Sequence, residues 1–583
     1  GLTVVGIEGG WRAKTRVLGL NGFPARLDVG GSRRRSVGRR ESDWREEAER
    51  SVLLEAVSHW REDPATWFEG SYSRLPETLR VNPLSPDLGW IESWLEGIGA
   101  TRIQWFNGPG SSWEMPFERG RADGEVRTVM NALHETGRIT RQEAVSMLPV
   151  LALDPEPGDV VLDLCASPGS KTTQICEHLG DSGAVIANEV ISGRVNTLVS
   201  NVQRHASKSA VVVQHDGRHI PMVPGDGFDR VLVDVPCTGS GTTRKNPDVW
   251  SKWLPSSGRS LHDLQHDLLR RAIAVTKPGG RVVYSTCSLD PVENEAVVAR
   301  ILAAGGVSTI SAGDLLQEVP SHPGMERWPT LDDNGRPSDD ESVPQFMGPP
   351  IDESLSSQLR NCLRVWNDSI GGGGFFLAIL EKDSDTEVKN DARELPKVTP
   401  DPREDPQSFP QPIGDEWSVR IEESWGSVPS SMWARGKSLL WSTEEVRRVW
   451  ESERSRKGGK IPVPGGRWRP LKVIHLGLIA ARVRHGEIER VVSRAARRLR
   501  GEVSGPFVGV GRDTLESILL GNEPVPESVD ECLAGFRGGR VLVDQGGFCL
   551  AVWVGARVTP MVSESEKTVM RAVLGLPIAL EEE

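Results

Sequence analysis

At 583 residues the chain exceeds what one hydrophobic core organises, so roughly two to four structural units are expected. Seven cysteines, odd in number and scattered over the whole length, exclude a disulfide framework and point to free thiols in a reducing compartment. No apolar run approaches the roughly 20 residues that span a bilayer, so no membrane partner is expected and the protein reads as cytoplasmic, or nuclear in a eukaryote.

The net charge of −12 argues at first sight against a nucleic-acid partner, but it is unevenly spread. Residues 431–500 carry 18 Lys/Arg against 6 Asp/Glu, a local +12 that leaves −24 on the rest. Such an asymmetry suits a dedicated polyanion-binding surface as well as it suits a solvated basic helix face.

Residues 1–45 are rich in Gly, Arg and Ser and read as a basic, disordered arm. From Asp43 to Trp67 the apolar positions Trp44, Ala48, Val52, Leu53, Ala56 and Trp60 recur at three and four, which predicts one amphipathic helix. An extended piece follows at Leu75–Pro83, and Thr140 is placed to cap a helix that ends at Pro149. Residues 46–150 are thus an accessory region, expected to bind RNA once the resemblance described below is taken into account.

From Gly158 strands and helices alternate. Val160–Leu164, Ala184–Ala187, Ala210–Gln214, Arg230–Val233 and Arg281–Ser285 read as strands, with helices at Lys171–Leu179, Gly193–His205 and Leu261–Val275 between them. That order predicts an α/β fold with a doubly wound, mostly parallel sheet over residues 151–382, closed by a late strand at Phe375–Leu380. Two acidic, Pro- and Ser-rich segments interrupt the pattern, a surface insertion at about 318–354 and a linker at 383–416. Residues 417–583 read as a basic α+β region with strands at Val473–Leu478, Val541–Val543 and Phe548–Val554 and a basic helical stretch at Arg482–Arg500.

The chemistry concentrates at the strand ends. The first strand runs into Cys165-Ala166-Ser167-Pro168-Gly169-Ser170-Lys171, a loop of small residues opening a helix, where backbone N–H groups can approach a ligand closely. Glu189, Asp216 and Asp234 follow the second, third and fourth strands, and a carboxylate after the second strand suits a ribose diol. Together they favour an adenosyl-containing cofactor. The fourth and fifth strands end in Asp234-Val-Pro236-Cys237 and Thr286-Cys287, which brings two thiols within reach of one substrate. The eleven histidines show no metal-ligand spacing, so no metal is expected.

The segments CASPGSKT, DVPCTGSGT, RKNPDVW and YSTCSLDPVENEAVV resemble the motifs of the NOL/NOP/Sun family of RNA cytosine-5 methyltransferases. The resemblance extends to RQEAVSMLP, RVNTLVSNVQR and GGGGFFLAILEK, covers about residues 70–382, and is strongest to the transfer-RNA branch. It implies a class I, Rossmann-like methyltransferase domain using S-adenosylmethionine, with Cys287 as nucleophile, Cys237 assisting product release, and Asp234 contacting both cytosine and cofactor. It further implies that the Cys165–Lys171 loop underlies the methionine and ribose, that Glu189 binds the ribose hydroxyls, that Asp216 lies near adenine, and that Arg194 fills a basic position of the family.

The chain departs from the family pattern at Ser167 and Ser170, where Ala and Gly are commoner, and at Glu189, where Asp is commoner. Residues 417–583, with Trp468, Arg469 and Lys472, resemble the extension of the transfer-RNA branch, whose last part is PUA-like. The expected partner is therefore RNA, most of all transfer RNA, and not DNA, whose methyltransferases place the nucleophile in the PC motif. A monomer is expected. Ribosomal RNA as substrate, or a non-catalytic RNA-binding role for the same fold, are the competing readings.

Overall fold

The computed structural model describes residues 41–384, 409–456 and 461–579. Its centre is a ten-stranded mixed sheet whose main strands are β1 (Val160–Asp163), β2 (Ala184–Asn188), β3 (Ala210–Val213), β4 (Phe228–Asp234), β5 (Thr276–Thr286), β6 (Phe375–Lys382) and β7 (Val473–Leu476), in the order β6-β5-β4-β1-β2-β3-β7, with Leu363–Val365, Val307–Ile310 and His322–Pro323 added beyond β5 on the β6 side. The five strands from β5 to β3 are parallel, whereas β6 and β7 are antiparallel additions at the two sides. The parallel strands are buried on both faces, which is why they read as continuous β-branched runs such as Ala210–Val213 rather than as alternating patterns. Helices α1 (Ser170–Leu179), α2 (Ser192–His205) and α3 (Pro255–Val275) make the crossovers. Strand order reverses between β1 and β4, and a site in such a sheet opens at the carboxyl ends beside that reversal.

Around this core, residues 46–150 fold into a four-stranded sheet of Thr101–Arg102, Ser111–Glu118, Pro76–Val81 and Ile139–Arg141, in that order, with helices against it. The C-terminal region holds a five-stranded sheet that includes Met432–Arg435 and Leu478–Arg484, and a four-stranded sheet that includes Gly538–Val543 and Cys549–Val554.

Several expectations need correction. The single helix expected over 43–67 is three, Glu41–Glu49, Val52–Ser58 and Pro64–Tyr72, because Ser51 and Asp63 each cap a new start by accepting from Leu54 N and Thr66 N. Thr140 lies in a strand, and Pro149 sits in the first turn of helix Leu148–Leu153, where a missing N–H costs nothing, so the proline begins that helix instead of ending one. The stretch 482–500 is mostly a hairpin, Leu478–Arg484 with Glu487–Val491, turning at His485-Gly486 with both residues at positive φ; only Ser493–Leu499 is helical. The insertion at 318–354 is irregular but not wholly superficial, since Trp328, Leu331 and Met347 are buried and Trp328 Nε1 donates to Met347 O.

The C-terminal region does not stand apart from the catalytic sheet, because β7 belongs to it. Trp468 is fully buried with its Nε1 bonded to Pro410 O, so it is core and not a base-stacking platform. Most of the expected arm, residues 1–40, and residues 385–408 of the expected linker lie outside the described residues.

Candidate active site

The loops that leave β4 and β5 carry the two cysteines. The strands run side by side with Asp234 opposite Ser285, and the last rung of their ladder is Val235 N to Ser285 O. Beyond it Cys237 and Cys287 converge, with Sγ atoms 3.2 Å apart. Both thiols are free and half-buried. The bond to the Cys287 sulfur and burial together hold Cys237 well above the ordinary thiol range. Two adjacent sulfurs cannot both carry charge.

Asp234, at the end of β4, is fixed from two sides: Oδ2 accepts from Lys171 Nζ at 2.8 Å and Oδ1 from Ser285 Oγ at 2.7 Å. Lys171 also donates to Ser146 Oγ at 2.8 Å. Burial alone would depress the Lys171 ammonium, but the Asp234 carboxylate outweighs it and the pKa is raised, so the lysine stays charged. Lys171, Asp234, Cys287, Ser146 and Phe375 share a cavity of about 510 Å³ that reaches to Arg119 and Lys245 at its outer side.

The expected cofactor loop adjoins the same cavity, which Pro168, Gly169 and Ser170 also line. Ala166 N donates to Asn188 O and Ser167 Oγ to Arg194 O. Pro168 O accepts from Asn201 Nδ2 at 2.6 Å, and Gly169, at φ 111°, leads into Ser170 and α1. A side chain at Gly169 would be strained by that φ and would meet Leu198 Cδ1 at 2.9 Å, so the position requires glycine. Glu189 is buried at the end of β2, its Oε1 accepting from Ile191 N at 2.8 Å and its carboxylate 3.5 Å from Arg194, which also donates to Ser167 O. Asp216 is half-exposed and is drawn below the usual carboxylate range by its bonds from Arg218. Cys165, by contrast, is pushed far above the thiol range by burial and by Asp163, which makes it an inert wall.

The expected residues therefore fall into two adjoining clusters, Cys237–Cys287–Asp234–Lys171 and the Cys165–Ser170 loop with Glu189 and Arg194. Asp216 stands at the rim, its carboxylate already occupied by Arg218. Ser146 and Ser285 were not singled out from sequence, and neither carries a local signal. Asp163 was also missed. It accepts from Thr172 Oγ at 2.7 Å with Oδ2 while Oδ1 has no protein partner, and burial lifts its pKa to about 7. Only its place two residues before Cys165 could have marked it.

A glycine cradle, a buried carboxylate at the end of β2 and an orphaned buried carboxyl oxygen fit an adenosyl cofactor with a cationic centre. Among the described residues no group of His, Cys, Asp and Glu could hold a metal ion.

Residues 150–380 match the family model described as "16S rRNA methyltransferase RsmB/F". The chain is similar to the multisite-specific tRNA:(cytosine-C(5))-methyltransferase of Saccharomyces cerevisiae, 40% identical over 270 residues, covering 43% of this chain and 40% of the relative. It is likewise 40% identical over 324 residues to the tRNA (cytosine(34)-C(5))-methyltransferase of Drosophila melanogaster, covering 50% and 43%. Ribosomal RNA small subunit methyltransferase F of Serratia proteamaculans is 42% identical over 199 residues, covering 33% and 42%. The chain thus spans less than half the length of these relatives.

Proposed function

We propose that this chain, whose residues 150–380 carry an RsmB/F methyltransferase domain, methylates carbon 5 of cytosine in RNA through a covalent cysteine adduct, with transfer RNA as the substrate class. The observation that carries the reading is the pair of sulfurs 3.2 Å apart at two neighbouring strand ends, beside a carboxylate locked by a lysine. Carbon 5 of cytosine is a poor nucleophile. The Cys287 thiolate adds to carbon 6, the 5,6 double bond opens, and carbon 5 becomes enamine-like. S-adenosylmethionine, when bound, supplies an electrophilic methyl group. Transfer of the carbon 5 proton to a base then restores the double bond and expels the Cys287 sulfur, with Cys237, 3.2 Å from that sulfur, assisting release.

Asp234, oriented by Lys171 and Ser285, contacts the cytosine ring. The Cys165–Lys171 loop, Glu189 and Arg194 hold the cofactor, and Asp216 borders its adenine. Residues 46–150 and the PUA-like 417–583 flank the methyltransferase domain 151–382 as RNA-binding regions, and the protein acts as a monomer. A cleft of about 220 Å³ opens where the three regions meet, and its Arg138, Arg494 and Arg498 tie those regions together through Glu566, Glu135 O and Ala206 O. The target base must leave its stack to reach the cysteines, at a cost of a few kcal/mol.

Transfer RNA is favoured over ribosomal RNA because the matches to the two transfer-RNA enzymes run over 270 and 324 residues, against 192 to 250 for the ribosomal ones. Incubation with labelled methyl donor and total RNA, followed by mapping of 5-methylcytosine, tests the reading. Cys287→Ala abolishes transfer and Cys237→Ala accumulates a covalent protein–RNA adduct. The reverse pattern would exchange the two roles, labelling confined to ribosomal RNA would change the substrate, and binding without transfer would leave a scaffold.

A further inference from the structure

Four residues that the chemistry above does not use surround one buried carboxylate. Glu293 is fully buried, and its Oε1 accepts from Thr238 N and Gln265 Nε2, each at 2.9 Å. Its Oε2 accepts from Thr238 Oγ and, at 2.5 Å, from Ser288 Oγ. Thr238 follows Cys237 and Ser288 follows Cys287, so the residue after each cysteine donates a hydroxyl to the same oxygen. Gln265 also donates to Pro236 O at 3.0 Å, the residue before Cys237. The glutamate is tethered in turn by Tyr284 Oη, which donates to its backbone carbonyl at 2.5 Å.

This carboxylate is expensive. Burial pushes Glu293 above the ordinary range against the bonds from Ser288 and Thr238, and among the described residues no Lys or Arg forms an ion pair with it. A buried carboxyl group held only by hydrogen-bond donors is not what stability alone selects, since a neutral acceptor would satisfy the same donors without the cost of burying a charge. What Glu293 gains for the molecule is register. Past Val235 the two loops have left the β4–β5 ladder. Gly241 N to Cys287 O at 2.9 Å, with Ser240 Oγ bonded to Ser288 Oγ at 3.0 Å and accepting from Leu289 N at 2.7 Å, ties the distal part of the first loop to the second. Nearer Cys237 the side chains meet directly through the long 3.4 Å contact of Thr238 Oγ with Ser288 Oγ.

Resting on the reading of Cys237 and Cys287 as the reacting thiols, we propose that Glu293 is a positioning residue that clamps the two cysteine loops and sets the distance between their sulfurs. It touches neither substrate nor cofactor and acts through Thr238 and Ser288.

The test is Glu293→Gln, which keeps the volume but puts an NH₂ where an acceptor stood. Methyl transfer to RNA is followed together with cofactor binding and with closure of a Cys237–Cys287 disulfide by diamide, which takes up the two thiol hydrogens as the sulfurs bond. The expected result is a kcat lower by about 100-fold, the scale of an ångström-size misplacement, with KM for RNA and cofactor affinity unchanged and disulfide closure slowed. Wild-type kcat, or wild-type closure, overturns the proposal.

Should Glu293→Gln fail to fold, Thr238→Val and Ser288→Ala carry the test. Each lowers kcat and slows closure, and the double variant costs less than the sum because both act through one carboxylate; full additivity or wild-type kcat overturns it. If the wild-type chain transfers no methyl group to RNA, the methyltransferase reading fails, while the closure rates still decide whether Glu293 holds the sulfurs.

Discussion

Arg80 and Glu177 bind the accessory region to α1, the helix that follows the Cys165–Gly169 loop. Arg80 Nε lies 2.7 Å from Glu177 Oε2 and its Nη2 2.8 Å from Oε1, with the two side chains 0% and 1% exposed. The same guanidinium reaches Gln142 Oε1, Ser170 O and Thr173 Oγ. Replacing Arg80 by Met keeps an apolar stem of similar length, so little of the cost comes from a cavity. What remains is a buried carboxylate with only His205 Nε2, at 3.1 Å, beside it.

Unit charges about 4 Å apart attract by about 4 kcal/mol at the effective dielectric of a protein, and stranding one partner of a buried pair costs about 3–5 kcal/mol. Arg80→Met is therefore expected to destabilise by about 3–5 kcal/mol. Adding Glu177→Gln removes the stranded charge and returns part of that, leaving about 1–3 kcal/mol for acceptors such as Gln142 Oε1 that still lack a donor. Urea unfolding with a constant slope against denaturant measures each step, and a double-mutant cycle isolates the coupling. Additive effects, or a loss below about 1 kcal/mol for Arg80→Met, would refute the ledger.

Lys171→Met removes both the 2.8 Å contact to Asp234 and the one to Ser146. Single-turnover methyl transfer should fall by about 100-fold or more, the scale of one lost electrostatic contact in a closed site. Lys171→Arg should not restore it, because a planar fork cannot take the place of a point charge in that pocket; wild-type rates in either variant would show the pair to be incidental. Gly241→Ala places a Cβ 2.2 Å from Gly374 O, so the loop after Cys237 must move, at a cost of about 1–3 kcal/mol and with slower adduct formation. An unchanged melting temperature and adduct rate would show that the loop yields freely.

Stability should also depend on pH in two opposed ways. Burial lowers His134, His178, His215 and His475 from 6.5 to about 4, so their contribution is complete above pH 6.5 and is lost as pH falls through 4. Burial raises Asp163 from 3.8 to about 7, so its contribution is complete below pH 3.8 and is lost as pH rises through 7. The melting temperature should peak at about pH 6.5. His475→Asn should make the acid limb shallower and Asp163→Asn the neutral one, which Asp290, raised by burial to about 8, also shapes; a profile unmoved by either variant would contradict these assignments.

What the sequence disclosed and what it hid follow from range. The parallel strands were legible because burial on both faces leaves no alternation, so Val160–Asp163 and Ala210–Val213 announce themselves as β-branched runs. Cys237, Cys287, Asp234 and Lys171 were legible because each sits in a loop of small residues at a strand end or helix start. The breaks in the N-terminal helix were not, since a Ser or Asp inside a periodic run signals a new cap only once the chain has turned there. Arg80 and Glu177 lie 97 positions apart, and nothing local distinguishes them from surface charges. Glu293 stood in a quoted motif, yet a lone glutamate near a helix start reads as a dipole partner until its four donors are seen.

Under the function proposed above, the attachment of β7 bears on how a base is delivered. A strand that ended the sheet at β3 would leave a row of unpaired backbone groups, and the C-terminal region covers that edge with Val473–Leu476. The contact is reinforced on both sides, by Lys472 N donating to His215 Nε2 at 2.9 Å and by Thr443 Oγ donating to Gly183 O at 2.7 Å. At the other end of the region, Glu566 takes two bonds from Arg138 of the accessory sheet, at 2.8 and 2.9 Å. A flexibly tethered RNA-binding module would raise local concentration but could not present a flipped cytosine to a sulfur within the few tenths of an ångström that bond formation demands. Pairing the module's own strand into the catalytic sheet ties its placement to the backbone that positions Asp234 and the two cysteines. Substitutions that loosen β7, far from either cysteine, should therefore lower kcat before they lower RNA affinity.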